Sequence, residues 1–258
     1  WRIYDSVKNS YSLDKVESPE QFYITAKAFG RFAYDLNDFD ASQLVEVIPQ
    51  FHDTRNRYRQ LEEAIREDRV GRVKEVQEEI AFIQNRKADC FLLYDLLDEG
   101  VLPLRVTHND TKLNNIMFDS ETKEPLCIVD LDTVMPGLVL FDFGDSIRFG
   151  ANDCAEDEPD LSKVNFDFDL YEIYVKGFIE GTNGILTEAE LEYLPWGARV
   201  ITLEQGIRFL TDYINGDVYY ATTRPGQNLD RARTQLKLVQ DMENVWDKMV
   251  EAVKNAQK

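Results

Sequence analysis

THNDTKLNNIMFD (Thr107–Asp119), a short polar turn, and then PLCIVDLD (Pro125–Asp132) form the stretch from which the rest of the chain can be read. Two apolar runs, Asn115–Phe118 and Leu126–Val129, have strand character, and the polar turn between them predicts a β-hairpin. His108, Asp110, Asn115 and Asp130 fall at the ends of these runs, where a scaffold can aim side chains into one cleft. The pattern is H-x-D-x-x-x-x-N, with an apolar strand ending in Asp twenty positions after Asp110. A single H-x-D is common and weak. The spacing, the hairpin and the strand-end acid together are far more specific than loop capping in an acidic chain.

These residue types suit phosphoryl transfer. That reaction needs a carboxylate to orient an attacking hydroxyl and accept its proton, and hard oxygen donors for Mg²⁺. Asp110 fits the first task as catalytic base. Asn115 and Asp130 fit the second as metal ligands. His108 is expected to brace the loop by hydrogen bonding. Lys112 fits either of two roles, neutralising the γ-phosphate of ATP or facing solvent. A literal D-F-G stands at Asp142–Gly144, but no hairpin precedes it. Asp142 is therefore read as a residue that bonds backbone and begins a helix, with metal binding as the alternative.

The flanking sequence is mostly helical. Pro19 opens a helix whose apolar positions are Phe22, Ala26, Phe29, Phe32, Ala33 and Leu36. Thr54–Leu97 is helical, with a break expected at Gly71 and a stop at Gly100. His52, alone in the connector before it, reads as a packing or surface residue, with substrate contact as the alternative. Thr133–Gly137 reads as a turn, and Ala151–Asp169 as a mobile acidic loop. Thr187 and Glu190 make a capping box ahead of an apolar helix through Tyr213. Arg208 within it needs a partner, either Glu204 at i,i+4 or a ligand. Asn215–Asp217 is a turn beside Tyr219 and Tyr220. Asn228 is expected to cap one last helix, Leu229–Val253.

Composition narrows the partners. The 258 residues carry 29 Lys plus Arg against 48 Asp plus Glu, a net charge of −19. That balance argues against nucleic acid and anionic membrane as partners. The acids are spread along the chain, as on a solvated surface. The three cysteines are odd in number and widely spaced, which reads as reduced thiols and a cytoplasmic location. No apolar run is long enough to span a membrane.

The segments THNDTKLNNIMFD and IVDLDTVMPGLVLFDFGDSIR resemble the aminoglycoside phosphotransferase-type kinase superfamily. DLDTVMPG, LEQGIRFLTDYINGDVYY and RPGQNLDRARTQ are similar to its N-acetylhexosamine 1-kinases. The resemblance covers nearly the whole chain. It implies transfer of ATP phosphate to the anomeric hydroxyl of GlcNAc or GalNAc, with Asp110 as base and Asn115 and Asp130 on Mg²⁺. It also implies Arg208 and Tyr219 as sugar contacts and Phe149 on the nucleotide side. Kinases for another small acceptor (an aminoglycoside, choline or homoserine) and a non-catalytic binding module are the alternatives.

The expected fold is α+β and mostly helical, the C-terminal lobe of a protein-kinase-like fold. Trp1–Val7 would be a strand remnant of the N-lobe or hinge. Residues 8–258 would form the C-lobe, with the catalytic loop at 107–132 and substrate-side helices at 187–258. No G-x-G-x-x-G and no strand-borne Lys precede Asp110, so most of the N-lobe is expected to be absent and the chain inactive by itself.

Overall fold

The computed structural model describes residues 5–152 and 154–258. Its elements in order are β1 (Ser10–Tyr11), α1 (Pro19–Asp35), α2 (Thr54–Glu67), α3 (Gln77–Gln84), α4 (Lys87–Asp98) and β2 (Arg105–Thr107). Then come β3 (Ile116–Asp119), β4 (Pro125–Ile128), β5 (Met135–Gly137), α5 (Val139–Gly150), α6 (Phe168–Thr182), α7 (Glu188–Asn215), α8 (Gln227–Asn244) and α9 (Trp246–Ala256). This is the helix-rich architecture with small sheets that the patterning predicts.

Local chemistry explains most of the boundaries. Ser18 caps α1 by accepting the Gln21 N–H at 3.2 Å, and Pro19 occupies the first turn, where its missing N–H costs nothing. The capping box at Thr187 and Glu190 starts α7, and left-handed Gly216 ends it. The β3–β4 hairpin turns on Asp119, whose carboxylate accepts the N–H groups of Glu121 and Thr122 at 2.8 Å each.

Two apolar cores meet along α7. One gathers α1, α5, α6 and the hairpin around Phe22, Phe29, Phe118, Phe143 and Tyr174. The other gathers α2, α3, α7 and α8 around Tyr58, Leu61, Ile83, Leu203 and Phe209. The first half of α7 (Leu194–Ile201) belongs to one core and the second half (Leu203–Ile214) to the other. α5 crosses α7 at a pair of glycines. A Cβ on Gly144 would strike the Gly197 carbonyl, and one on Gly197 would strike the Leu140 carbonyl. Only residues without side chains permit that approach.

Several expectations are corrected. Trp1–Tyr4 lie outside the described residues, and Asp5–Val7 form no strand. The first strand among the described residues is β1, which pairs antiparallel with β3. The Thr133–Gly137 segment is not a simple turn. Met135–Gly137 pairs antiparallel with Arg105–Thr107, and a two-stranded ribbon tolerates Pro136 because one side of each strand needs no donor. The 54–97 region breaks twice, at Asp68–Val76 and again at Asn85–Arg86. The last helix divides at Val245, and Gly226 rather than Asn228 stands at its start. The acidic 151–169 loop is tied down: Arg148 reaches Glu156 at 3.0 Å and Gln227 reaches Asp157 at 2.9 Å.

Candidate active site

The loop that leaves β2 wraps onto the first turns of α5. Asp142 accepts the backbone N–H of His108 at 2.8 Å and of Asn109 at 2.7 Å. The Thr111 hydroxyl donates to the Asp142 carbonyl at 2.5 Å, and the Ser146 hydroxyl donates to the Thr111 carbonyl at 2.6 Å. The D-F-G sequence is thus a cradle for the loop, as the sequence suggested for Asp142. Phe143 is core and Gly144 is the helix crossing. Burial pushes the Asp142 carboxyl up to about 6, against the opposing pull of His108 and the two amides.

His108 is fully buried and braces the loop as expected. Its Nε2 donates to the Val129 carbonyl at 3.0 Å, and its ring stands edge-on to Phe29 and Phe32. Asn109 adopts a left-handed φ of 63°. Its side chain holds that turn by donating to the Thr133 carbonyl at 3.0 Å and accepting from the Thr107 hydroxyl at 3.0 Å.

Asp110 emerges half-buried from this frame. The Asn115 amide donates to its carbonyl at 2.8 Å and to Oδ2 at 3.2 Å, and Lys112 Nζ lies 2.8 Å from Oδ1. Burial disfavours the Lys112 charge, but Asp110 outweighs it and the ammonium is held more firmly protonated than usual. Asp145 behind it is also buried. Burial would raise its carboxyl, but Arg148, then Lys112 and His52, outweigh that effect and lower it.

The Val129 N–H donates to the Asn115 carbonyl at 2.9 Å, so Asn115 and Asp130 stand at the same end of the hairpin. Asp130 is exposed, has φ 58°, and its side chain caps nothing. Asn115 uses its N–H group on Asp110, which leaves its amide oxygen outside that bond. An amide oxygen and a carboxylate are the hard donors that Mg²⁺ prefers, so this corner fits the metal.

Arg208 and Tyr219 line a cavity of about 390 Å³, together with Arg57, Thr211, Asp212 and Tyr220. Arg208 donates to Gln205 at 3.2 Å, and its guanidinium stacks 5.4 Å from the Phe51 ring and 5.8 Å from the Tyr220 ring. Its distance to Glu204, 3.8 Å, is an ion pair without a hydrogen bond. Burial and then the nearby Arg208 charge make the Arg57 guanidinium easier to deprotonate than usual. Tyr219 is 73% exposed and packs edge-on against Tyr220. Its loop hangs on Asp212, whose carboxylate accepts the N–H groups of Val218, Tyr219 and Tyr220 at 2.9 to 3.0 Å.

The structure therefore gathers Asp110, Lys112, Asn115 and Asp130 in one group and Arg208 with Tyr219 in another. Phe149 belongs to neither group and packs half-buried against the first core. Between the groups sits His52, which the sequence suggested was a packing or surface residue. It bonds the Asn109 carbonyl on one side and Glu204 on the other. Glu204, Arg57 and Asp212 were not singled out as site residues. A buried acid inside an apolar helix, as Glu204 and Asp212 both are, was the available signal.

Comparison with known proteins gives the chain a family and a fold likeness. The profile of APH, a phosphotransferase enzyme family, matches residues 10–172, more than half of the chain and all of the catalytic-loop region. Among solved structures, a choline/ethanolamine kinase family protein from Mesorhizobium loti superposes with a TM-score of 0.50 at 16% identity, covering 96% of this chain and 72% of that one. Choline kinase from Cryptosporidium parvum Iowa II gives 0.52 at 13% identity, covering 95% and 73%. At such identities the likeness concerns the fold alone. Among the described residues no helix is long and apolar enough to cross a membrane. With the H-x-D-x4-N loop at the heart of the matched region, this chain belongs to the phosphotransferase enzyme family.

Proposed function

We propose that the protein transfers the γ-phosphoryl group of ATP to a hydroxyl of a small neutral acceptor, and that the acceptor is an N-acetylhexosamine phosphorylated at its anomeric oxygen. The observation that carries the phosphotransferase reading is the setting of Asp110. Its backbone is clamped by Asn115, and its carboxylate is half-buried at the rim of a loop fixed by Asp142. Asp110 orients the acceptor hydroxyl and takes its proton as the new O–P bond forms and the bond to the ADP oxygen breaks. Lys112 pairs with the Asp110 carboxylate at 2.8 Å and lies where it can meet phosphate charge. Asn115 and Asp130 would hold Mg²⁺, which supplies charge neutralisation on the phosphates. Phe149 keeps its nucleotide-side assignment through sequence resemblance.

The chemistry of the cavity supports a neutral polyhydroxylated acceptor. Arg57, Arg69 and Arg208 line it against Glu63, Glu67 and Asp212, a balance of charge that suits a neutral acceptor, and the Arg208 guanidinium already stacks near the Tyr220 ring. The Asp212 carboxylate is committed to the amides of the 218–220 loop and to the Asn228 side chain. Arg208 can bond sugar hydroxyls, and the exposed Tyr219 ring can cover a sugar face.

The test is ADP release with GlcNAc, GalNAc, choline and kanamycin in parallel. Turnover is expected with the N-acetylhexosamines, and Asp110→Ala should lower kcat by about 10²- to 10⁴-fold. Turnover only with choline or kanamycin would keep the phosphotransferase and sink the sugar.

A further inference from the structure

His52 is only 9% exposed and lies between a backbone carbonyl and the buried carboxyl group of Glu204. Its Nε2 is 3.1 Å from the Asn109 carbonyl and its Nδ1 is 3.2 Å from Glu204 Oε1. A neutral imidazole carries one N–H and could satisfy one of them. Against a carboxylate at Glu204, both bonds form only when both nitrogens carry protons. The rings of Phe51 and Phe141, with centroids 4.4 and 5.6 Å away, hold the imidazole in place.

The partner on the loop is the residue immediately before Asp110. Asn109 is clamped through its N–H by Asp142 and through its carbonyl by His52, and its left-handed φ gives it little conformational freedom elsewhere. Of these two clamps, His52 is the one that reaches the second core. Glu204 sits one turn before Arg208 on α7, and its Oε2 is buried with no hydrogen-bond partner among the described residues. A half-satisfied buried carboxylate keeps a strong demand for positive charge nearby.

We infer that His52, held as an imidazolium between Glu204 and the Asn109 carbonyl, is a positioning residue that sets the orientation of Asp110 from the acceptor side. This rests on Asp110 acting as the base in phosphoryl transfer. The charged groups around His52 are Glu204 and Arg208 on α7, Asp142 and Asp145 on α5, Glu46 and Tyr94 lining the small cavity beside it, and Arg57 on α2. Burial opposes its charge, but Glu204 and the Asn109 carbonyl outweigh burial and raise its pKa.

The chain has two histidines, so ¹⁵N spectra of the natural full-length protein separate their rings by comparison with His52→Gln. His52 should keep two protonated nitrogens to higher pH than a free imidazole does, and Glu204→Gln should abolish that difference. A neutral His52 ring across pH 6 to 8 would overturn the inference. In kinetics, His52→Ala should lower kcat about 10- to 100-fold with acceptor KM within about threefold. His52→Gln, whose amide can still donate to the Asn109 carbonyl, should recover part of the loss and serves alone where His52→Ala does not fold. Glu204→Gln should move the basic limb of the kcat profile to lower pH. Unchanged kcat in folded variants of an active enzyme overturns the positioning role alone, as does a rise confined to KM. Absence of turnover by the wild type with any acceptor overturns the phosphotransferase reading and this role together.

Discussion

Two loops of this molecule hang on one buried aspartate each, and they serve opposite ends. Asp142 takes two amides of the loop that carries Asp110, and Asp212 takes three amides of the loop that carries Tyr219. Around Asp142 nearly everything is inside: His108 and Thr111 are fully buried and Asn109 is 5% exposed. Around Asp212 the same bonding leaves Val218 and Tyr219 more than 70% exposed. One carboxylate fixes the loop that carries Asp110 in a dry frame. The other holds an aromatic face out to solvent, where it can adapt to a ligand. Equal hydrogen bonding therefore does not mean equal rigidity, because the surroundings decide what water can replace.

The sharpest way to break the comparison is to remove each acid. Asp142→Ala leaves buried amides that water cannot reach, and should cost about 3–5 kcal/mol in urea unfolding together with nearly all turnover. The pH dependence adds a check. A carboxyl raised from 3.8 to about 6 binds a proton more tightly in the folded state. Its charged form thus weakens the fold as pH rises from about 4 to about 6, and the effect is constant above that. Asp142→Asn should flatten that slope, and an unchanged slope would show that the carboxyl titrates normally.

Asp212→Ala should cost less, about 1–2 kcal/mol, because the freed amides of the 218–220 loop can find water. Its main effect should be on the acceptor, with KM raised about tenfold and kcat nearly kept. Equal stability losses for the two substitutions would erase the distinction. Tyr219→Ala should change stability by less than about 0.5 kcal/mol, as for an exposed side chain, and raise acceptor KM a few-fold. A kcat loss there would mean that the exposed ring helps align the reacting hydroxyl.

What the sequence made legible was local. Asn115 and Asp130 lie on one hairpin, so the strand pattern alone placed them at the same end of it. Ser18 and Pro19, and Thr187 with Glu190, likewise act within one turn. Distant pairings were not legible. His52 and Glu204 are 152 positions apart, and nothing near either names the other. Met135–Gly137 looked like a turn because its partner strand, Arg105–Thr107, contributes half the evidence. The break at Val245 is hidden because the apolar stripe of α8 continues into α9, where Trp246 packs on Trp196 with ring centroids 4.9 Å apart.

The Gly144–Gly197 crossing has a mechanical meaning. α5 carries Asp142 and Asp145, and α7 carries Glu204, Arg208 and Asp212. Pressed backbone to backbone, the two helices share an axle and have no side-chain cushion through which to slip. A tilt of α7 under an arriving ligand would be handed to the cradle of Asp110 almost undamped, as a lever hands on a push. A methyl group at either glycine would act as grit in that bearing.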